Sequence, residues 1–206
     1  MKDARLLICF ALLLGLAANA QENSKNYSLY EMHVIQDREE KDASFSNPDK
    51  SPLPEDIIPG FDGLEYFLVD EKYRVEAKLR LTGDTSIIEI PTNTDRTPKY
   101  RRYAVATFTL EEDSLQLTLY QSVNLMNDPD YQNYLFLPFN DLTNGVETYG
   151  GGRYLDLTTK EKDSVIIDFN KAYNPYCAYN AKYSCPIPPD ENNLKTQIRA
   201  GEKAFD

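Results

Sequence analysis

Hydrophobic and polar residues alternate one by one over much of the chain beyond residue 60. Residues 75–81, 103–110 and 115–120 show the pattern most clearly, with an apolar residue at every second position. Successive side chains of a strand point to opposite faces, so each segment predicts a strand with one buried and one solvated face. Shorter apolar runs predict four more strands at 86–90, 134–139, 153–157 and 164–169.

Polar segments separate these strands and predict turns. Glu111, Glu112 and Asp113 stand between two strands, and residues 159–163 stand between the last two, so both segments predict hairpin turns between neighbouring strands. Seven short strands with little helical pattern favour a mainly β (α+β) fold, either an antiparallel β-sandwich or an open barrel.

The segment before residue 60 has a different pattern. Residues 26–42 lack glycine and proline and place Tyr27, Tyr30 and Val34 at helical spacing, with Met32 and Ile35 less regularly spaced. This pattern predicts an amphipathic N-terminal helical arm that packs against the β-rich domain. Residues 44–59 contain four prolines and predict a connector with one helical turn at 55–58.

The first twenty residues have the features of a signal peptide. Lys2 and Arg5 precede an apolar run over residues 6–16, and Ala18 and Ala20 fit the small-residue cleavage rule. We expect cleavage after Ala20 and export to the periplasm or the extracellular space. The predicted organisation is a signal peptide at 1–20, a helix and proline-rich connector at 21–59, and a β-rich domain at 60–206.

The charge and the single histidine exclude several functions. A formal net charge of −11 disfavours nucleic acid as a partner, because nucleic-acid binding needs a basic surface. No later segment is long and apolar enough for an integral membrane segment. His33 is the one histidine, and no Gly-x-Ser-x-Gly motif is present to supply a nucleophile for a catalytic triad. We therefore expect neither a metal nor a cofactor.

Cys177 and Cys185 lie in the stretch YNPYCAYNAKYSCPIPPDEN, and the only other cysteine, Cys9, lies in the predicted signal peptide. An oxidising compartment favours a disulfide between Cys177 and Cys185. A structural zinc needs four ligands, and the pair supplies two. Packed or metal-bound thiols are the alternatives to the disulfide.

Four blocks of the chain resemble, in order, blocks of the DUF1684 family of uncharacterised bacterial proteins. They are GLEYFLVDEKYRVEAKL, PTNTDRTPKYRRYAVATFTL, LFLPFNDLTNGVETYGGGRYLDL and IIDFNKAYNPYCAYNAKYSCPIPPDENNLKTQIRAGEKAF. The resemblance runs from about residue 38 to residue 205, and the last block is the most specific. It implies a family without an established activity and therefore names no substrate.

Three segments, 96–103, 149–154 and 170–192, concentrate arginine, tyrosine, asparagine and glycine. If they meet, they would suit a small polar or anionic ligand held by arginine charge. The predicted contacts are Arg96, Tyr100, Tyr103, Tyr149, Gly151, Gly152, Arg153, Asn170, Asn174 and Tyr176.

Two other functions fit the sequence. One is a hydrolase that uses paired carboxylates, which can run acid–base chemistry without histidine. Its candidate carboxylates are Asp141, Glu147, Asp168, Glu191 and Glu202. The other is an envelope protein that contacts only another protein.

Overall fold

The computed structural model describes residues 27–158 and 160–205, so the predicted signal peptide and its cleavage site lie outside the described residues. Helix α1, Leu29–Phe45, begins at a capping box. The Glu31 backbone N–H donates to Ser28 Oγ at 3.1 Å, and the Ser28 backbone N–H donates to Glu31 Oε2 at 2.7 Å. Both bonds satisfy donors that the start of a helix leaves without partners.

Helix α1 packs through a narrow apolar stripe. Val34 and Phe45 are buried, and Tyr30 is half-buried. Tyr27 and Met32 are exposed, so the buried stripe is narrower than the spacing of apolar residues predicted. The connector after α1 contains a single 3-10 turn at Ile58–Gly60, slightly later than the predicted turn at 55–58.

The described residues contain seven strands: β1 Arg74–Leu81, β2 Ile88–Glu89, β3 Lys99–Leu110, β4 Asp113–Ser122, β5 Tyr134–Phe139, β6 Arg153–Thr158 and β7 Ser164–Asp168. They form one sheet in the order β6-β5-β4-β3-β1-β7, with β2 paired to β3. All pairings are antiparallel. The sheet curls into a half-barrel, which confirms the open-barrel form of the predicted fold class.

The turn after β3 follows the prediction, and the turn after β6 does not. Leu110 pairs with Asp113, so Glu111 and Glu112 form a two-residue hairpin turn. By contrast, β6 pairs with β5 and β7 pairs with β1, at opposite ends of the strand order. The predicted hairpin between β6 and β7 is therefore wrong. The chain crosses there between the two edges of a curled sheet, which approach each other.

The inner face of the sheet carries the predicted core. In β3, Ala104, Ala106, Phe108 and Leu110 are all at most 5% exposed, as the alternation predicted. The core continues through alternate residues of β4, β5 and β6. This confirms that a period of two identifies which strand positions face inward.

The outer face of the sheet is covered in part by the C-terminal segment. Tyr120, Phe136 and Tyr154 point outward from the strands, yet each is at most 6% exposed, and they pack with Cys185. A second, aromatic core therefore lies between the sheet and residues 173–185.

Asn192 fixes the C-terminal segment to the sheet between β4 and β5. Its side chain exchanges hydrogen bonds with the Thr118 backbone at 2.7 and 2.9 Å and donates to the Pro138 carbonyl at 2.7 Å. The amide thus supplies partners to backbone groups where β4 and β5 diverge. In the described part of the chain, no helix combines the length and the apolar character needed to cross a membrane.

Candidate functional site

The three segments predicted to form a site do meet in the structure. Three pairs of residues join them: Arg96 with Ser184, Tyr149 with Cys177, and Tyr154 with Tyr173. The Arg96 guanidinium donates to Ser184 Oγ at 3.1 Å and to the Ser184 carbonyl at 2.6 Å. The Tyr149 hydroxyl lies 3.8 Å from Cys177 Sγ, and Tyr154 and Tyr173 exchange backbone hydrogen bonds at 2.9 and 3.0 Å.

Arg153 was predicted to contact a ligand, and the structure corrects this. Its side chain is fully buried and donates to Asp141 Oδ2 at 2.9 Å and to the Ile198 carbonyl at 2.7 Å. It also donates to the carbonyls of Ala200 and Glu202. The guanidinium therefore binds the C-terminal segment to β6, and its positive charge is paired with the Asp141 carboxylate.

The two predicted tyrosines of β3 are packing residues. Tyr100 is 9% exposed and stacks on Phe136 with the ring centroids 5.6 Å apart. Tyr103 is half-buried against the main core. Packing on the two sides of the sheet accounts for both rings.

Gly151 and Gly152 were predicted to allow a ligand to approach the backbone. Instead, they allow the protein to approach itself. A Cβ atom at Gly152 would lie 2.5 Å from Asn140 Oδ1 and from Pro188 Cγ, and its φ is +86°. A Cβ atom at Gly151 would lie 2.5 Å from the ring of Tyr149. These glycines are explained by a turn and by close packing.

Asn170 and Asn174 are buried, and their side chains donate hydrogen bonds to other segments of the chain. The Asn170 side chain donates to the Tyr30 hydroxyl at 3.0 Å and to the Asp70 carbonyl at 2.8 Å, which ties α1 to the segment before β1. The Asn174 side chain donates to the Lys203 carbonyl at 2.7 Å. Tyr176 is 48% exposed and tilts against Tyr183.

A small cavity of about 130 Å³ lies between α1, Tyr66, residues 170–173 and Glu202, and is called the helix pocket below. Its lining is rich in charge and aromatic rings. Its charged and aromatic lining residues include Arg38, Lys41, Tyr66, Lys171, Tyr173 and Glu202. Arg38 and Lys41 come from the helical arm, and the others come from the β-rich domain.

Arg38 is held rigidly at the wall of this pocket. Its terminal nitrogens donate to the carbonyls of Phe67 at 2.9 Å and Asn170 at 3.1 Å, and its guanidinium lies 4.5 Å from the centre of the Tyr66 ring. Its Nε is buried and has no hydrogen-bond partner in the described part of the chain. Such buried polar atoms are rare. Arg153 Nε and Asn174 Oδ1 also lack a partner among the described residues, so Arg38 is distinguished by its place at the wall of a cavity that contains other cations.

Lys41 and Glu202 form the polar floor. Lys41 Nζ pairs with Glu202 Oε1 and lies 5.0 Å from the centre of the Tyr173 ring. Glu202 Oε2 accepts from the Asn174 backbone N–H at 2.8 Å and from the Tyr179 hydroxyl. Burial, with the negative charge of Glu202, raises the pKa of Tyr179, so its hydroxyl keeps its proton and donates.

The helix pocket is locally positive in an acidic protein. Lys171 Nζ pairs with Asp37 Oδ2 at 2.7 Å at the outer rim. The pocket thus combines the three cations Arg38, Lys41 and Lys171 with the two carboxylates of Asp37 and Glu202. The excess of one positive charge stands against a net charge of −11 for the whole chain.

Two wider grooves are weaker candidates. A groove of about 690 Å³ lies beside Leu68, Leu142 and Lys195, and one of about 480 Å³ lies on the other side of Arg38. The second is lined by the carboxylates of Glu31, Glu39 and Asp42 against the single cation of Arg38. Charge disfavours only the second groove, because the first is lined by Lys72, Lys195 and Arg199 against Asp70 and Glu111, the same excess of one cation as in the helix pocket. We prefer the helix pocket to the first groove because the buried Nε of its Arg38 has no partner among the described residues.

Cys177 and Cys185 are free thiols in the structure, so the predicted disulfide is not formed. The Cys177 backbone N–H donates to Cys185 Sγ at 3.2 Å, which leaves the two side chains adjacent. The loop is held without a covalent bond. Asn93 exchanges hydrogen bonds with the Cys185 backbone at 2.7 and 3.2 Å, and the Thr94 hydroxyl lies 2.6 Å from Ser184 Oγ.

The sequence-based site therefore contains one pocket residue, Asn170, and misses the cations. Arg38 and Lys41 lie on a highly charged helix. The sequence of such a helix does not distinguish cations that face the domain from cations that face solvent. One available signal was the spacing of three, which places them on one face of a helix. His33 is exposed on α1 and takes no part in the pocket.

Comparison with known proteins agrees with the resemblance in the sequence. The model of the family described as "Protein of unknown function (DUF1684)" matches residues 59–203, which include all seven strands. The solution NMR structure of the uncharacterized protein from gene locus rrnAC0354 of Haloarcula marismortui is 38% identical, with a TM-score of 0.66. The match covers 84% of this chain and 94% of that one. The search of curated proteins found no match. The chain thus belongs to the DUF1684 family.

Proposed function

We propose that the protein binds a small anion in the helix pocket. The observation that carries the proposal is Arg38, whose buried Nε–H lacks a partner at the wall of a cavity that also contains Lys41 and Lys171. An oxygen of an anionic ligand would complete the hydrogen bonds of Arg38 with a charge-assisted contact.

The size of the helix pocket limits the ligand. At about 130 Å³ the helix pocket is smaller than the ~300–1,000 Å³ of typical small-molecule sites. This small volume favours a short carboxylate or a tetrahedral oxyanion, such as phosphate or sulfate, over a nucleotide or a sugar chain. The Tyr66 and Tyr173 rings supply apolar walls, which suits a carboxylate with a short hydrocarbon part.

The pocket is organised before a ligand enters. Two backbone carbonyls and the Tyr66 ring hold the Arg38 guanidinium, so little side-chain freedom remains to be lost on binding. Lys41 is held by Glu202 and beside Tyr173 in the same way. A rigid arginine plane favours anions with two oxygens that match its geometry.

The carboxylates that the sequence offered for a hydrolase support binding over catalysis. Each has its own partner: Asp141 pairs with Arg153, Glu147 with Arg199, Asp168 with Tyr30, Glu191 with Arg102 and Glu202 with Lys41. A pair that runs acid–base chemistry needs two carboxyl groups on either side of one substrate bond.

Export of the protein stays part of the proposal, supported by the pattern of residues 1–20.

Isothermal titration with phosphate, sulfate and acetate at constant ionic strength tests the proposal. We expect at least one of these anions to bind the wild type, and Arg38→Gln to lose about 1.5–3 kcal/mol of binding free energy, the range for a hydrogen bond to a charged group. Arg80→Gln is the matched control, because Arg80 is an exposed arginine of β1. The proposal would be contradicted if none of the anions binds, or if Arg38→Gln binds as tightly as the wild type. Either result would favour the alternative of an envelope protein that contacts only another protein.

A further inference from the structure

We propose that Cys177 and Cys185 form a thiol–disulfide exchange site, in which Cys177 attacks disulfide substrates and Cys185 resolves the product. This activity is separate from anion binding in the helix pocket. Its site lies where the 173–185 segment meets the turn at residues 92–96 and the loop that carries Tyr149.

The geometry places the two sulfurs within reach of each other. The Cys177 backbone nitrogen is 3.2 Å from Cys185 Sγ, and Cys177 Sγ is only three bonds from that nitrogen. The two thiols also share a hydrogen bond, so their sulfurs are neighbours in the folded protein. Such closeness fits an intramolecular exchange, which forms one new bond for each one that breaks.

Each cysteine is positioned by a different part of the structure. Cys177 lies on a single 3-10 turn, Tyr176–Ala178, directly after Pro175. Cys185 is fixed by Asn93, and the next residue, Pro186, pairs with Thr92. Because the turn and the paired segment have separate anchors, the thiols stay adjacent without a bond between them.

The two thiols differ in the way that exchange requires. Cys177 is half-buried, whereas Cys185 is 8% exposed, so a substrate from solvent meets Cys177 first. Hydrogen bonds from Cys185 and from the Tyr149 hydroxyl lower the pKa of Cys177, while the hydrogen bond to Cys177 and burial raise the pKa of Cys185. A thiolate on the accessible cysteine and a protonated thiol on the buried one define an attacking and a resolving group.

The reaction balances with a small disulfide, RSSR, as the substrate. The Cys177 thiolate attacks one sulfur of RSSR, forming a mixed disulfide and releasing RS⁻. Cys185 then loses its proton to solvent and attacks Cys177 Sγ, which releases the second RS⁻. The protein dithiol is oxidised to a disulfide, and RSSR is reduced to two molecules of RSH. The reverse sequence reduces the protein disulfide with two molecules of thiol.

Oxidised glutathione is the probe that tests this site. We would use the full chain with Cys9→Ser, so that Cys177 and Cys185 are the only thiols. At graded ratios of oxidised to reduced glutathione, followed by acid quenching, alkylation and mass spectrometry, we expect the two thiols to be lost together as an internal disulfide. Reduced glutathione should restore both. Thiols that stay reduced at every ratio in the folded protein would overturn the proposal.

Single variants assign the roles. Cys185→Ser should accumulate the adduct of Cys177 with one glutathione, because no resolving thiol remains. Cys177→Ser should lose the fast reaction, because the remaining thiol is buried. An equally fast reaction of Cys177→Ser would overturn the assignment of Cys177 as the attacking group. Thermal unfolding of each variant near the wild-type temperature confirms that the folded protein is being compared, and failure of anion binding at Arg38 would leave these results unchanged.

Discussion

Replacing Arg153 with methionine is expected to destabilise the protein by about 3–5 kcal/mol, the cost of removing one partner from a buried ion pair. The change leaves the Asp141 carboxylate buried without its cation and removes the donor from three carbonyls of residues 198–202. At about 2–4 °C per kcal/mol for a domain of this size, the melting temperature should fall by roughly 6–20 °C. Thermal and denaturant unfolding measure the loss.

Arg199→Met is the matched control. Arg199 pairs with Glu147 at 2.9 Å, but its side chain is 52% exposed, and exposed ion pairs contribute about 0.2–1 kcal/mol. The double variant Arg153→Met, Asp141→Asn should recover part of the loss, because the amide removes the unpaired charge while its oxygen can still accept from Thr143 and Ile198. If Arg153→Met unfolds no more easily than Arg199→Met, the buried role of Arg153 is wrong.

Gly201→Ala should have the next largest effect, about 2–4 kcal/mol from backbone strain and overpacking together. Gly201 has a φ of +76°, and a Cβ atom there would lie 2.5 Å from the Ala172 carbonyl oxygen and 2.8 Å from that of Phe169. These are backbone atoms and cannot rotate away. The strained residue directly precedes Glu202, so we expect Gly201→Ala to lower the free energy of unfolding and to distort the helix pocket.

Gly83→Ala separates strain from crowding. Gly83 has a similar φ of +66°, but its Cβ would meet nothing within 4 Å. We expect this variant to lose about 1 kcal/mol, the lower end of the cost of a left-handed conformation. Equal losses in Gly83→Ala and Gly201→Ala, measured by chemical unfolding, would show that the contacts around Gly201 have no energetic role.

Local patterns predicted much of the fold. The alternation in β3 identified the buried face from Ala104 to Leu110, and the polar pair at Glu111 marked the hairpin. The crossing after β6 was missed because a short polar segment has the same sequence pattern in a hairpin turn and in a connection between two edges of a curled sheet. The covering of Tyr120 was missed because the covering residues lie more than fifty positions later.

The site was less predictable because its chemistry depends on distant partners. Arg153 has the sequence surroundings of a ligand contact, and its burial depends on Asp141 and on carbonyls more than forty residues away. Gly151 and Gly152 were predicted to contact a ligand, but the atoms that approach them belong to the protein: Tyr149 at Gly151, and Asn140 and Pro188 at Gly152. Only Asn170 was placed both in the predicted set and in the helix pocket.

The side-chain Nε–H resonance of Arg38 provides the most direct test of anion binding in the helix pocket. It would be followed by proton–nitrogen NMR during titration with sodium phosphate, sulfate or acetate at constant ionic strength, and assigned by its loss in Arg38→Lys. We predict that it shifts with added anion and reaches saturation, while the Nε–H of the exposed Arg80 does not saturate. An Arg38 resonance that stays unchanged, or that moves in parallel with Arg80, would contradict binding at this pocket.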